Sequence, residues 1–186
     1  MPTSDAELVR QALGGSQAAY RELVSRYASA AVNVAARLVR DRALAEDLAQ
    51  EGFVRAFARL RTFDPRRRFS AWFFQVLHNV AVDYLRQRRV ETVPLDVTNA
   101  EGHVALSAGA PSPEAEAERS ELASALEGAL SRLRHEYREA VVLRYQQGLT
   151  VQEIADVLGV PEGTVKTFLY RARKELAAML SEAGWK

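Results

Sequence analysis

TVQEIADVLGVPEGTVKTFLYRARKEL, Thr150 to Leu176, is the stretch that decides how the rest of the chain is read. Thr150 followed by Glu153 is a capping box: the hydroxyl takes an orphan helix N–H and the carboxylate reaches back to the cap. Ile154, Ala155 and Leu158 then form an apolar stripe at helical spacing. Gly159 can supply the left-handed residue that ends this helix, Val160 is expected between two helices, and Pro161 suits the start of the second. The second helix would turn Val165, Leu169, Ala172 and Leu176 inward. Its outward face then carries Thr164, Lys166, Thr167, Tyr170, Arg171 and Lys174. Short hydroxyls, a phenol and cations near the start of a second helix suit the major groove and its phosphates. The pattern reads as a helix-turn-helix, although a plain helical hairpin with a solvated basic face would share much of it.

Working outward, the whole chain has 186 residues, 48% of them hydrophobic, enough to core one domain or two small ones. Its net charge of +1 averages over unlike segments. Residues 60–89 hold seven arginines against two aspartates, whereas residues 90–121 hold seven acids against one arginine. Such asymmetry points to a polyanion partner for part of the chain. The absence of cysteine excludes disulfides and thiolate zinc sites. No stretch has the shape of a signal peptide, and no apolar run approaches the roughly 20 residues that span a bilayer. A cytoplasmic location without membrane insertion is therefore expected.

In chain order, residues 2–13 form a polar lead-in, helical from Asp5 and closed by Gly14 and Gly15. Ser16 can cap a long helix whose apolar positions Tyr20, Leu23, Val24, Tyr27, Ala31, Val34, Ala35 and Leu38 follow a 3.6-residue period. Asp41 is expected to cap a helix over residues 43–60, with Leu44, Leu48, Phe53, Phe57 and Leu60 toward a core. Its other face carries Glu46, Asp47, Gln50 and Glu51, which simple complementarity to the helix dipole would also explain. TFDPRRRF, residues 62–69, breaks the helix at Pro65 and gathers three mutually repelling arginines. This aromatic–basic loop is either a phosphate or base contact or a plain charged turn. Ser70 is expected to cap a helix over 71–89. Its apolar side holds Phe73, Phe74, Leu77, Val80, Ala81, Tyr84 and Leu85. Gln75, Asn79, Asp83 and Arg86 line the opposite side near Trp72, His78, Arg88 and Arg89, a mixture able to stack and hydrogen-bond with exposed bases.

Residues 90–113 turn to proline, glycine, serine, alanine and acids, and read as a linker. Fully extended it would reach about 80 Å, against about 28 Å as a random coil. Two DNA turns measure about 70 Å, so one chain could engage two sites that far apart. Ser112 and Pro113 then open a helix carrying Leu122, Ala125, Leu126, Ala129, Leu130 and Leu133. A further helix over 136–147 ends at Gly148 and leads into Thr150. With no strand pattern, the expected fold is all-α: two small helical domains, 1–89 and 114–186, joined by a flexible acidic linker. There is no glycine-rich phosphate loop, no nucleophile–base set and no pair of metal-ligating histidines. No catalytic residues, metal site or cofactor are expected, and the protein is not expected to be an enzyme.

Three segments in order carry a resemblance: DRALAEDLAQEGFVRAF, FDPRRRFSAWFFQVLHNVAVDYLRQRR and the helix-turn-helix. Together the chain resembles bacterial RNA polymerase sigma factors of the extracytoplasmic-function class, within the sigma-70 family. The resemblance implies a promoter-specificity subunit that binds core RNA polymerase, recognises two promoter elements and melts the downstream one. Glu46, Asp47, Leu48, Gln50 and Glu51 would dock on the clamp helices of the largest polymerase subunit. Phe63, Arg66, Arg67, Arg68, Trp72, Gln75, Asn79, Asp83 and Arg86 would recognise and melt the minus-ten element, capturing a flipped base. Thr164, Lys166, Thr167, Tyr170, Arg171 and Lys174 would read the minus-thirty-five element, beside a flap of the second-largest subunit. The acidic linker would thread the polymerase cleft toward the RNA exit. The chain departs from the family at Phe168, where an arginine is common, at His78, usually small or basic, and at Gly52, usually β-branched. It ends soon after the helix-turn-helix, so no further sensory domain is expected and control would come from an anti-sigma factor. The other reading is a stand-alone helix-turn-helix regulator, which would need a dimerisation or effector domain in place of the arginine–aromatic loop.

Overall fold

The computed structural model describes residues 3–39, 41–91 and 113–185, and among them every regular element is helical. In the N-terminal half, α1 (Asp5–Leu13) leads to α2 (Gln17–Val39), α3 (Arg42–Ala58), a single 3-10 turn (Leu60–Thr62) and α4 (Phe69–Glu91). The C-terminal half contains α5 (Pro113–Arg132), α6 (His135–Val141), α7 (Val151–Leu158) and α8 (Glu162–Glu182). Of the expected linker, residues 92–112 lie outside the described residues, as does the cap expected at Ser112.

The local signals act where they stand. Ser16 Oγ accepts from Ala19 N, and Asp41 Oδ1 accepts from Leu44 N at 3.1 Å, each closing a helix start. The period of α3 buries Ala45, Leu48, Ala49, Gly52, Phe53 and Ala56 along one stripe. Four of these six are alanine or glycine, which lets α3 approach its neighbours closely. A Cβ placed on Gly52 would sit 2.9 Å from Leu77 Cδ1 on α4, so this contact leaves no room for a β-branched residue without displacing Leu77. Around it, Phe53 stacks on Phe73 at 4.5 Å, and Tyr27 lies against Phe69, Phe73 and Phe74.

Three expected boundaries shift. The third helix ends at Ala58 rather than at residue 60, because Leu60 is drawn into the core through the 3-10 turn. Helix α4 begins at Phe69, where the Arg68 carbonyl accepts from Trp72 N. Ser70 is therefore a buried first-turn residue and not a cap. After Val141 the sixth helix widens into a π-helical turn (Val142–Gln146), with Leu149 N reaching back to Leu143 O. Gly148, at φ 64°, then supplies the left-handed turn into α7.

The two halves share one buried apolar cluster. Helix α7 packs on α4 as well as on α8, and α6 packs on α2 as well as on α8. The closed arrangement therefore places the first helix of the helix-turn-helix directly against the helix that follows the arginine turn.

Candidate nucleic-acid interface

The capping box forms in full: Glu153 N donates to Thr150 Oγ1 at 3.2 Å and Thr150 N donates to Glu153 Oε2 at 2.7 Å. Gly159 sits at φ 65° and closes α7, so α8 leaves at a fixed angle. Val165, Leu169 and Ala172 are buried beneath α8, with Leu176 half-buried. Lys166, Thr167, Tyr170, Arg171 and Lys174 are exposed and Thr164 is half-buried, with Tyr170 62% exposed despite its ring. The Thr167 hydroxyl donates to Gly163 O at 2.9 Å, which leaves it mainly as an acceptor toward any ligand. Arg171 Nη1 donates to the Tyr137 hydroxyl at 3.2 Å. Phe168 is half-buried with its ring 5.5 Å from that of Tyr137, so the position serves packing.

The arginine turn, expected to be either a phosphate or base contact or a plain charged turn, finds acceptors within its own chain. Asp64 accepts from Arg66 N at 3.0 Å and from the Arg66 guanidinium, and these bonds lower its carboxyl from 3.8 to about 2. Arg67 pairs with Asp156 on α7. Arg68 Nη1 donates to Gly148 O at 2.8 Å and lies 3.5 Å from Glu153. On α4, Gln75 Nε2 donates to Asp156 O at 2.9 Å. Three residues assigned to downstream DNA, Arg67, Arg68 and Gln75, thus meet α7 or the turn that leads into it. Two more cross-links close the same seam: His78 Nδ1 lies 2.7 Å from the buried Glu139, and Arg37 forms a two-pronged pair with Glu127.

Two residues leave their expected groups. Phe63 is 7% exposed and packs on Phe69 and Trp72, so it belongs to the core beneath the turn rather than to a base-contacting surface. Leu48 is 5% exposed and faces the core, away from the acidic patch. Trp72 remains half-buried, Asn79, Arg86 and Arg66 are exposed, and Asp83 lies 3.5 Å from Arg55. On α3, Glu46, Asp47 and Gln50 are exposed and Glu51 is half-buried, with Arg42 and Arg55 pairing to Glu46 and Glu51. Val54, 63% exposed, extends this face by one turn from Gln50. Its apolar side chain pointing outward beside acids was the available sequence signal. Among the described residues no three His, Cys, Asp or Glu side chains gather to hold a metal, and no helix is long and apolar enough to cross a membrane.

Comparison with known proteins separates the two halves. Residues 23–91 match the family described as Sigma-70 region 2, and residues 123–176 match Sigma-70, region 4. The chain is 30% identical over 178 residues to the ECF RNA polymerase sigma factor SigW of Bacillus subtilis (strain 168), covering 94% of this chain and 95% of that protein. It is 35% identical over 182 residues to the RNA polymerase sigma factor CnrH of Cupriavidus metallidurans, covering 95% and 94%. Among solved structures it is similar to CnrH in complex with the cytosolic domain of CnrY, at 30% identity and a TM-score of 0.65, over 97% of this chain and 99% of that one. The sigma factor RpoE of Bartonella quintana, solved with the anti-sigma factor NepR, shares the fold at 24% identity and a TM-score of 0.70, over 87% and 96%.

Proposed function

The chain belongs to the extracytoplasmic-function class of sigma-70 family RNA polymerase sigma factors, and from that premise we propose how its surfaces divide the work of initiation. As a sigma factor it binds core RNA polymerase and directs transcription initiation at promoters. The exposed acids of α3, with Val54 beside them, form the polymerase-docking face. The arginine turn and the exposed side of α4, through Asn79 and Arg86, engage and melt the minus-ten element. Helix α8 reads the minus-thirty-five element through Lys166, Thr167, Tyr170, Arg171 and Lys174. Residues 1–89 and 114–186 are the corresponding working units, 90–113 their connection, and the protein has no catalytic activity of its own in the cytoplasm. Because the sigma factor RpoE of the same fold is seen in complex with an anti-sigma factor, one is proposed to hold this chain until it is needed.

The observation that carries this reading is the engagement of Arg67, Arg68 and Gln75 by α7. Carboxylates and carbonyls take some of the donors that DNA phosphates would use, while the outward face of α8 stays open. Downstream DNA at this face therefore competes with α7 for the same side chains. The stand-alone regulator reading gains nothing from this geometry, since it gives the arginine turn no ligand to exchange for.

Run-off transcription with purified core polymerase on genomic fragments tests the function directly. Discrete transcripts that depend on the protein are expected, and none, together with tight duplex binding in the absence of polymerase, would overturn it. Asp47→Arg is expected to abolish co-purification with core polymerase while the helical spectrum is retained. Undiminished co-purification would remove the α3 face from docking.

A further inference from the structure

Tyr137 lies in α6, outside the helix-turn-helix, and is 5% exposed. A buried phenol needs a partner for its hydroxyl, and here that partner is Arg171 Nη1 at 3.2 Å, on the outward side of α8. The same ring meets Phe168 at 5.5 Å. Phe168 and Arg171 are three residues apart on one helix, so their side chains are neighbours and a single ring can touch both. Arginine has five N–H donors, and the bond to Tyr137 uses one on Nη1. Its Nε and Nη2 edge is left to make the paired contact with guanine O6 and N7 that a major-groove arginine makes best.

We propose that Tyr137 is a positioning residue for promoter recognition: its buried hydroxyl, on a platform completed by Phe168, holds the Arg171 guanidinium toward the base edges. The proposal rests on the reading of α8 as the upstream-element reader. A free arginine side chain samples many rotamers and must be ordered on binding, a cost that falls on right and wrong sequences unequally only if the ordered geometry fits the right base. The tether does that ordering before DNA arrives. Phe168, at a position where an arginine would add a cation, instead supports the neighbouring arginine. The inward anchor at Tyr137 is thus a source of sequence preference that touches no DNA.

The test uses the full-length chain with core polymerase. The probe is the upstream element that the wild-type holoenzyme selects from a randomised duplex library, together with its single-base variants. Arg171→Ala first identifies the base pair whose discrimination Arg171 carries. Tyr137→Phe, which keeps the ring, is expected to lower discrimination at that base pair roughly threefold to tenfold, the range for one net hydrogen bond. The salt slope and the binding of unrelated duplex should not change, because no phosphate contact is lost. Phe168→Leu should lower discrimination at the same base pair by a smaller factor. Equal weakening on all sequences by Tyr137→Phe would make Tyr137 merely structural and overturn the proposal. So would full discrimination in Tyr137→Phe alongside its loss in Arg171→Ala. Discrimination that survives Arg171→Ala would overturn the reading of α8 beneath it.

Discussion

Asp64 sets the shape of the arginine turn, because it ties Arg66 by both backbone and side chain two positions after Asp64. Its folded-state carboxyl, near 2, lies below the ordinary 3.8. The ion pair therefore contributes to the turn above about pH 4 and is lost as pH falls toward 2. The Asp64 carboxyl carbon, followed by NMR, should titrate near the lower value in the native chain and return toward the ordinary one in Arg66→Ala. An unshifted midpoint in the native chain would show that the pair does not persist. Asn79, exposed on α4 one turn beyond Gln75, belongs to the same scale. Asn79→Ala should leave closed-complex formation intact and reduce permanganate reactivity of unpaired thymines, and normal reactivity would remove Asn79 from the melting face. Phe63 and Leu48 show where single residues mislead: an aromatic beside arginines and a leucine beside acids share a motif with their neighbours while their side chains turn inward.

Among the elements, α3 is defined by what it lacks. Gly52 replaces bulk with proximity, and Leu77 of α4 fills the space that a side chain would need. Gly52→Val should destabilise the fold by roughly 1–3 kcal/mol through overpacking, read as a lower denaturant midpoint at unchanged slope. A neutral result would mean that Leu77 turns aside freely. The helices whose limits depend on neighbours three or four residues away were legible in the sequence: the Thr150–Glu153 box, the Asp41 cap and the Gly159 terminus form as their spacing dictates. The start of α4 and the π turn after α6 were not. Both are decided by packing against other elements, the burial of Phe69 against Tyr27 of α2 in one case and of Val142 and Leu143 in the shared core in the other.

At the scale of the whole molecule, the seam between the halves joins residues far apart in sequence, 80 positions for Arg68 and Gly148 and 89 for Arg67 and Asp156. Residue type announces that an arginine wants an acceptor; it says nothing about which distant acceptor it will find. The candidate DNA residues were thus readable, but their occupation by α7 was not. Because the chain lacks cysteine, Arg21→Cys and Glu182→Cys offer two exposed dye positions, one in each half. Energy transfer between them should fall in Asp156→Lys, where like charges meet at Arg67, and recover when Arg67→Glu is added. Unchanged transfer would mean that the apolar seam alone keeps the halves together. A clasp made within one chain is also indifferent to dilution. Doubling the concentration of the free protein doubles its shut and its available forms alike, so the clasp by itself introduces no concentration threshold. Only a ligand that prefers one form can alter the ratio.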